Sequence, residues 1–558
     1  MVSTIIDRIG NWNPQLFREL KGRLNKRNLA IAAGISGFGQ LLLYLLFQKL
    51  LPTVYRHNTY NRYCTDSSHN NGQGVIRGYS CLKDALDNWI INWQLWWLDL
   101  FLIMSGIIFA ALLFVGTYML IADLSREERR GTLGFIRLSP QSTSSILIGK
   151  MLGVPILVYL IGLLAMPLHL AAGLGAHIPL SLILSFYGVL AASCMFFYSA
   201  ALLYGLISSG LGRFQAWLGS GLVYFFLSLS GFSAQNHSAS PADLLILFNP
   251  DYILEYLVGA TSISVDRIGY FESENLAALK WFELPLWHYT YLGISLILLN
   301  YSLWTFWVWQ GLKRRFYNRH ATLLSKQQSY WFSTSLITIM LGFVEQTTKA
   351  DRLFYNFGLL LVFDLILFLG LIAAMSPHRQ SLQDWARYRH QTNPKERRGI
   401  VKDLIWGEKS PSTVAIAINL VITSIIMLPA IVLLPLDEYR IPVLLGVLFN
   451  ISITLIYAIL AQTMLLMKTP KRVIWASATV SVLIILPLAI FALFGIEPDV
   501  VPGVFLFSAF PMIATEYATA TGIFLSLLAQ GLAIALLSFQ MNKKLQQAGK
   551  SATKALLN

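Results

Sequence analysis

Two short basic motifs carry the clearest chemistry in this chain. Glu128-Arg129-Arg130-Gly131 is followed by Ser139-Pro140, and Glu396-Arg397-Arg398-Gly399 is followed by Ser410-Pro411. Paired arginines keep their charge at any physiological pH and grip carboxylates bidentately, so the chemistry is recognition of an acidic surface. A second echo runs from Pro250 to Glu255-Tyr256 and from Pro511 to Glu516-Tyr517. Both echoes keep the same order, and each is offset by about half the chain, the scale of an internal duplication.

The remaining polar residues of interest stand inside apolar runs. Asp364 lies midway in residues 357–371. A charge there costs at least a few kcal/mol, so it must be protonated, paired or turned to a wet cavity. Three roles stay open for it: a hydrogen bond between helices, a lining of the substrate path, or proton coupling. Gln40, Gln462 and Gln530 are milder candidates for the same path, and the commoner role of such residues is to hydrogen-bond neighbouring helices. His169 falls near a span boundary and is expected to be solvated. No nucleophile–base arrangement emerges, so no catalytic residue is assigned. No Cys/His pattern with zinc spacing occurs, so no metal site is assigned. The one Gly-Lys-Ser, at 549–551, has Lys544 where a phosphate loop needs glycine, so the chain itself is not expected to hydrolyse ATP.

The elements that position these residues cross a membrane. Apolar residues make up 55% of 558 positions, charged residues only 13%, and the mean hydropathy is +0.58; soluble domains carry about 25% charge. Stretches of about 20 apolar residues recur, the length that crosses a hydrocarbon core of about 30 Å. We read twelve spans near residues 29–51, 98–122, 147–168, 181–208, 216–234, 286–310, 329–344, 353–375, 411–435, 442–467, 473–495 and 517–541. With the N-terminus inside, 32 of the 42 Lys and Arg residues fall on the cytoplasmic face. That bias follows the positive-inside rule, and it makes membrane topology rather than nucleic acid the reason for the net charge of +14. It also argues that the short segment 329–344 crosses, since otherwise the strongly basic loop 376–410 would lie outside.

The fold class expected is therefore all-α and polytopic, with about twelve transmembrane helices in two pseudo-symmetric six-helix halves. Residues 1–28 read as an amphipathic interfacial helix, with Trp12, Leu16, Leu20 and Leu24 at helical spacing and Asn13-Pro14 as its start. The long apolar run that follows predicts a retained span rather than a cleaved leader. Residues 29–310 form the first six-span half, with an outer loop at 52–97. Residues 311–328 form a basic cytoplasmic connector, 329–541 the second half, and 542–558 a basic cytoplasmic tail. Cys64 and Cys81 share the outer loop, where a disulfide is permitted and bonded or free thiols both remain open; Cys194 reads as a core residue. Trp89, Trp93, Trp96 and Trp97 close that loop, either as headgroup anchors or as an aromatic substrate platform.

Residues 127–138 are too short to cross and too apolar for a solvated connector. A short helix docked on another protein accounts for them. Gly131 lets the chain turn or approach closely, and Pro140 ends the helix. The stretch resembles the coupling-helix region of ABC-2-type permeases: Glu127-Glu128-Arg129-Arg130, then Gly131-Thr132-Leu133, Pro140 and Gly149-Lys150. The segment Asn13-Pro14 with Arg18-Glu19-Leu20 resembles that family's amphipathic first helix. The likeness departs at Gly134, where an acidic residue is common, and in the second copy, where Ile400-Val401 replaces Thr-Leu.

The resemblance implies a permease subunit of an ATP-driven exporter. Its ATPase-coupling residues would be Glu127, Glu128, Arg129, Arg130, Gly131, Thr132, Leu133, Arg137 and Pro140, with Glu396, Arg397, Arg398 and Gly399 in the second copy. Partners would be separate ABC ATP-binding subunits, which hold ATP and Mg, together with membrane lipids; no cofactor is expected on this chain. The substrate is not legible. The expected location is the cell's inner (plasma) membrane with both termini cytoplasmic. A proton-coupled secondary transporter using Asp364, and a membrane-embedded lipid-modifying or assembly protein, are the alternatives.

Overall fold

The computed structural model describes residues 10–52, 60–65, 68–70, 76–85, 88–208, 212, 214–235, 240–263, 265–268, 276–344, 349–391 and 399–556. Ten helices among these residues are long and apolar enough to cross a membrane, as a polytopic integral membrane protein requires, since a helix satisfies its own backbone in lipid. The expected spans 216–234 and 329–344 fall outside these ten, and the second lies in a helix of only 17 residues. The chain divides into two compact units, one of residues 1–237, 245–279 and 285–317, the other of 238–244, 280–284 and 318–558.

The first unit opens with α1 (Pro14–Arg23) and α2 (Lys26–Lys49). Asn13 caps α1 by accepting from the Leu16 amide, with Pro14 at the first helical position. Next comes α3 (Trp93–Arg129), 37 residues long. At 1.5 Å per residue it runs roughly 55 Å, well past a core of about 30 Å, so its last turns project beyond the expected span 98–122. It contains a π turn at Ala111–Val115. Such a turn disturbs the carbonyl ladder, and the Tyr198 hydroxyl donates to Leu112 O at 2.8 Å.

After α3 come α4 (Thr132–Leu138), α5 (Thr143–Gly153) and α6 (Ile156–Gly175). The expected span 147–168 is thus two helices, broken at Val154-Pro155. Pro155 has no N–H for Met151 O, four residues earlier, and the Tyr159 hydroxyl donates there instead at 3.0 Å. The unit continues with α7 (Leu180–Ile207), α8 (Phe214–Gln235), α9 (Ile253–Gly259) and α10 (Thr290–Tyr317). The start of the expected connector 311–328 is therefore the end of α10.

Among the described residues the fold is all-α apart from short strands in the loop expected to lie outside. That loop carries a three-stranded antiparallel sheet, β1 (Tyr60–Asn61), β2 (Ser68–Asn70) and β3 (Ile76–Ser80), in the order β1-β3-β2. Tyr60 pairs with Ser80 and Ser68 with Tyr79. Cys64 and Cys81 are joined by a disulfide, with Cα atoms 4.8 Å apart. Arg62 forms a fork on Asp99 at 2.7 and 3.0 Å, tying the loop to α3. The tryptophans do not act alike. Trp93 is exposed, whereas Trp96 is buried edge-on to Tyr44 and Phe47 and donates to Phe47 O.

The second unit contains α11 (Lys326–Gly342), α12 (Ala350–Met375), α13 (Arg379–Gln391), α14 (Ile400–Trp406), α15 (Thr413–Leu433), α16 (Arg440–Leu465), α17 (Arg472–Phe494), α18 (Met512–Thr515) and α19 (Ala520–Leu556). The expected tail 542–558 is largely a continuation of α19. Leu365, Phe368, Ile416, Leu420 and Tyr457 anchor the core between α12, α15 and α16. A polar clasp joins α11 to α15: Asn419 donates to Ser329 at 2.9 Å and accepts from Ser333 at 2.6 Å.

Candidate functional site

The first basic motif sits at the junction of α3 and α4. The helix α3 ends at Arg129, Gly131 adopts a left-handed conformation with φ +73°, and α4 follows. Only glycine takes that conformation without cost, so the turn expected at Gly131 is what redirects the chain. The Thr132 hydroxyl donates back to Glu127 O at 3.2 Å. Leu133 and Ile136 are buried and hold α4 in place. Phe135 and Leu138, 78% and 84% exposed, point away, as do the exposed Arg129 and Arg130. Ser139 donates to Ile136 O at 2.7 Å and ends the helix before the exposed Pro140.

Glu127 is the exception within the motif. It faces inward, 2.7 Å from the Lys150 ammonium and paired with Arg18, while Glu128 is half-buried. Lys150, 1% exposed, also contacts Asp123 at 2.8 Å and approaches Glu19 at 3.6 Å. Arg23 bridges Glu19 at 2.9 Å and Asp123 at 2.7 Å. Glu19, Asp123 and Glu127 are close enough to share a metal ion, yet three basic side chains already neutralise the three carboxylates. Burial alone would lower the Lys150 ammonium, but Asp123, Glu127 and Glu19 outweigh it and hold its pKa above the ordinary 10.5.

Gly149 completes this junction. A Cβ there would lie 2.7 Å from Asn13 Oδ1 and 2.8 Å from the Leu16 amide. The bare backbone lets the start of α1 seat on α5, where Asn13 donates to Ser145 O at 2.8 Å. The leading helix therefore buries a mixed face of Gln15, Leu16, Glu19 and Leu20, while Trp12 is exposed. Sequence reading did not reach this cluster. Its signal was Lys150 itself, the sole Lys or Arg in residues 144–175, because a buried ammonium needs acidic partners.

One further edge of α4 is electropositive. Arg137 lies over the Phe316 ring at 5.6 Å, and its Nε is buried with no hydrogen-bond partner. The like-charged Arg315 faces it, and burial lowers the Arg137 pKa.

In the second unit Glu396, Arg397 and Arg398 lie outside the described residues. Gly399 precedes α14, which has seven residues, as α4 has after Gly131. Val401 and Trp406 are exposed. Asp403 pairs with Arg389 on α13. Gly407 caps α14 through its amide on Asp403 O, and the Ser410 hydroxyl lies 2.6 Å from the same carbonyl. Lys326 buries its ammonium on Leu404 O, Ser410 Oγ and Pro411 O at 2.6, 2.7 and 3.0 Å. The second echo keeps its short helices but not its environment. Glu255 and Tyr256 are buried, whereas Glu516 and Tyr517 are exposed.

The polar residues of the spans are mostly helix ties. Gln40 donates to Leu164 O at 3.3 Å, Gln462 accepts from Ser412 at 2.7 Å, and Gln530 donates to Leu506 O at 2.8 Å. Asp364, 3% exposed, accepts from Asn450 Nδ2 at 2.7 Å. His169 corrects the expectation of a solvated residue. It is buried, stacked on Phe101, with Nε2 2.9 Å from Ser105 Oγ and Nδ1 2.8 Å from the Tyr187 hydroxyl. Ser105 also lies 2.8 Å from Phe101 O. With the serine proton on that carbonyl, His169 donates through Nε2 and accepts at Nδ1. This satisfies every group and leaves no activated nucleophile.

Comparison with protein-family models, curated proteins and solved structures finds no match to this chain.

Proposed function

We propose that this chain is the permease subunit of an ATP-driven exporter of the ABC-2 type, coupled to separate ATP-binding subunits through α4 and α14. The observation that carries this reading is the paired design of the two short helices. Each follows a glycine of the repeated motif, each has a carbonyl met by the serine hydroxyl of the Ser-Pro pair that follows, and each exposes large apolar side chains. Exposed apolar residues rimmed by arginines suit a partner with an apolar pocket and acidic surroundings. The charge bias puts both helices on the cytoplasmic side in a twelve-span topology. The Lys150 cluster would then act as a clamp, so that a push on α4 moves α1, α3 and α5 as one body, the rigid-body shift by which such machines couple.

The test uses the full chain expressed with its cognate ATPase, identified by photolabelling with an azido-ATP analogue. Phe135→Glu with Trp406→Glu should lower ATPase retention about 30-fold, as loss of an interface anchor worth about 2 kcal/mol does. Arg129→Glu with Arg130→Glu should weaken it further. Unchanged retention, or transport driven by an ion gradient without any ATPase, would overturn the reading. The second reading, a proton-coupled carrier, draws on Asp364 alone; Asp364→Asn abolishing proton dependence would favour it.

A further inference from the structure

The second unit encloses a cavity of about 430 Å³, within the roughly 300–1,000 Å³ typical of small-molecule sites. Its walls come from α12, α16 and the segment leading into α18. Two glycines shape it. Gly446 gives its side-chain space to Met512, since a Cβ there would lie 2.8 Å from Met512 Cγ. Gly358 leaves its space open, with Met512 Sδ the nearest atom at 3.9 Å. Phe354, Tyr355 and Phe510 supply aromatic wall, and Asn450 and the Tyr355 hydroxyl are the polar side-chain groups of the lining. Tyr355 and Ile513 are themselves exposed, so the cavity opens sideways from apolar spans.

The polarity of the inner end selects the occupant. One N–H of the Asn450 amide is given to Asp364, which leaves its carbonyl oxygen and second N–H for the cavity, the oxygen being the group that can accept from a ligand. Behind it, Asp364 Oδ1 is buried with no hydrogen-bond partner. The Thr423 hydroxyl lies 3.1 Å from Leu420 O and is also a hydrogen-bond neighbour of the Asp364 carboxylate. An acceptor, a carboxylate behind it and three aromatic rings together call for a ligand that donates hydrogen bonds, carries positive charge and is otherwise apolar. We propose that this cavity binds a lipophilic primary amine, its ammonium at Asn450 and its hydrocarbon body between Tyr355, Gly358 and Met512. In this arrangement Asp364 is a positioning residue that orients Asn450 and supplies the counter-charge. The proposal does not depend on coupling to an ATPase.

The experiment is photolabelling of the full chain in phosphatidylcholine nanodiscs with a diazirine-bearing decylamine, read by mass spectrometry. Matched decane and decanoate probes serve as controls. The amine should label segments 354–362 and 509–513 about tenfold more strongly than either control, and unlabelled decylamine should compete. Gly358→Leu, which fills open space, should cut that labelling about tenfold, and Leu359→Trp should do the same by an independent route. Asp364→Asn keeps a partner for Asn450 and should bring amine and decane labelling to near parity. Equal labelling by amine and decanoate, labelling confined to other segments, or full labelling in either filled variant would overturn the proposal. So would labelling of these segments by a phospholipid acyl probe that the amine cannot displace.

Discussion

Lys150 shows how much one side chain can hold. Its ammonium is the shared partner of Asp123, Glu127 and Glu19, contributed by α3 and α1. Removing it strands three buried carboxylates between two half-exposed arginines. Lys150→Met should therefore destabilise the first unit by about 3–5 kcal/mol, measured by thermal unfolding in detergent, and should release α1 to proteolysis. The pH dependence has a definite sign. The folded pKa lies above the unfolded 10.5, so the lysine contribution is complete below 10.5 and fades as pH rises through the folded value. Protection of α1 should be flat from pH 7 to about 10 and fall beyond. A decline beginning near pH 8 would contradict the assignment. None of this cluster was legible as such: Glu19, Asp123 and Lys150 lie far apart in the chain, and no local pattern states that they meet.

At the scale of elements, short helices and helix breaks repay attention more than the long spans do. The start of α4 depends on Gly131 at φ +73°. A β-branched residue is strained there, so Gly131→Val should cost about 1–3 kcal/mol and misdirect Phe135 and Leu138. A spin label at residue 135 would report it as a changed distance to one at residue 152. An unchanged distance would show that α4 is held by Leu133 and Ile136 alone. The turn was legible because glycine followed a charged helix end. The inward Glu127 was not, because a Glu-Glu-Arg-Arg run reads as a solvated face until Lys150 is placed beside it. The breaks at Ala111–Val115 and Pro155 show the complementary case. At Pro155 the Tyr159 hydroxyl replaces the absent amide, whereas at the π turn the Tyr198 hydroxyl joins the Gly116 amide on Leu112 O, and only the Pro155 break was marked by a proline.

For the molecule as a whole, the testable quantity is sidedness. The proposed topology, twelve spans with both termini inside, would put residues 138 and 406 on one face and the Cys64–Cys81 loop on the other. Single cysteines at 138 and 406, in a chain lacking Cys194, should react with an impermeant maleimide only in inverted vesicles. An impermeant reductant should open the Cys64–Cys81 bridge only in right-side-out ones. If residues 138 and 406 react from opposite sides, the crossing count is odd between them and α8 or α11 does not span.

Apolar length and charge bias are properties of neighbouring residues, and a bilayer acts on them directly. A run of about 20 apolar residues must bury its backbone bonds within itself wherever it sits. Membrane residence and the approximate places of the ten long apolar helices were therefore determined by the sequence alone, as was the turn at Gly131. Tertiary structure decided the rest. It brought Lys150 to three acids, paired His169 with Ser105 and Tyr187, and left a cavity at Gly358. The physical reason is common to all three: whether a polar group is satisfied, or a space is filled, depends on atoms delivered from distant positions. Close packing, not local pattern, chooses which atoms those are.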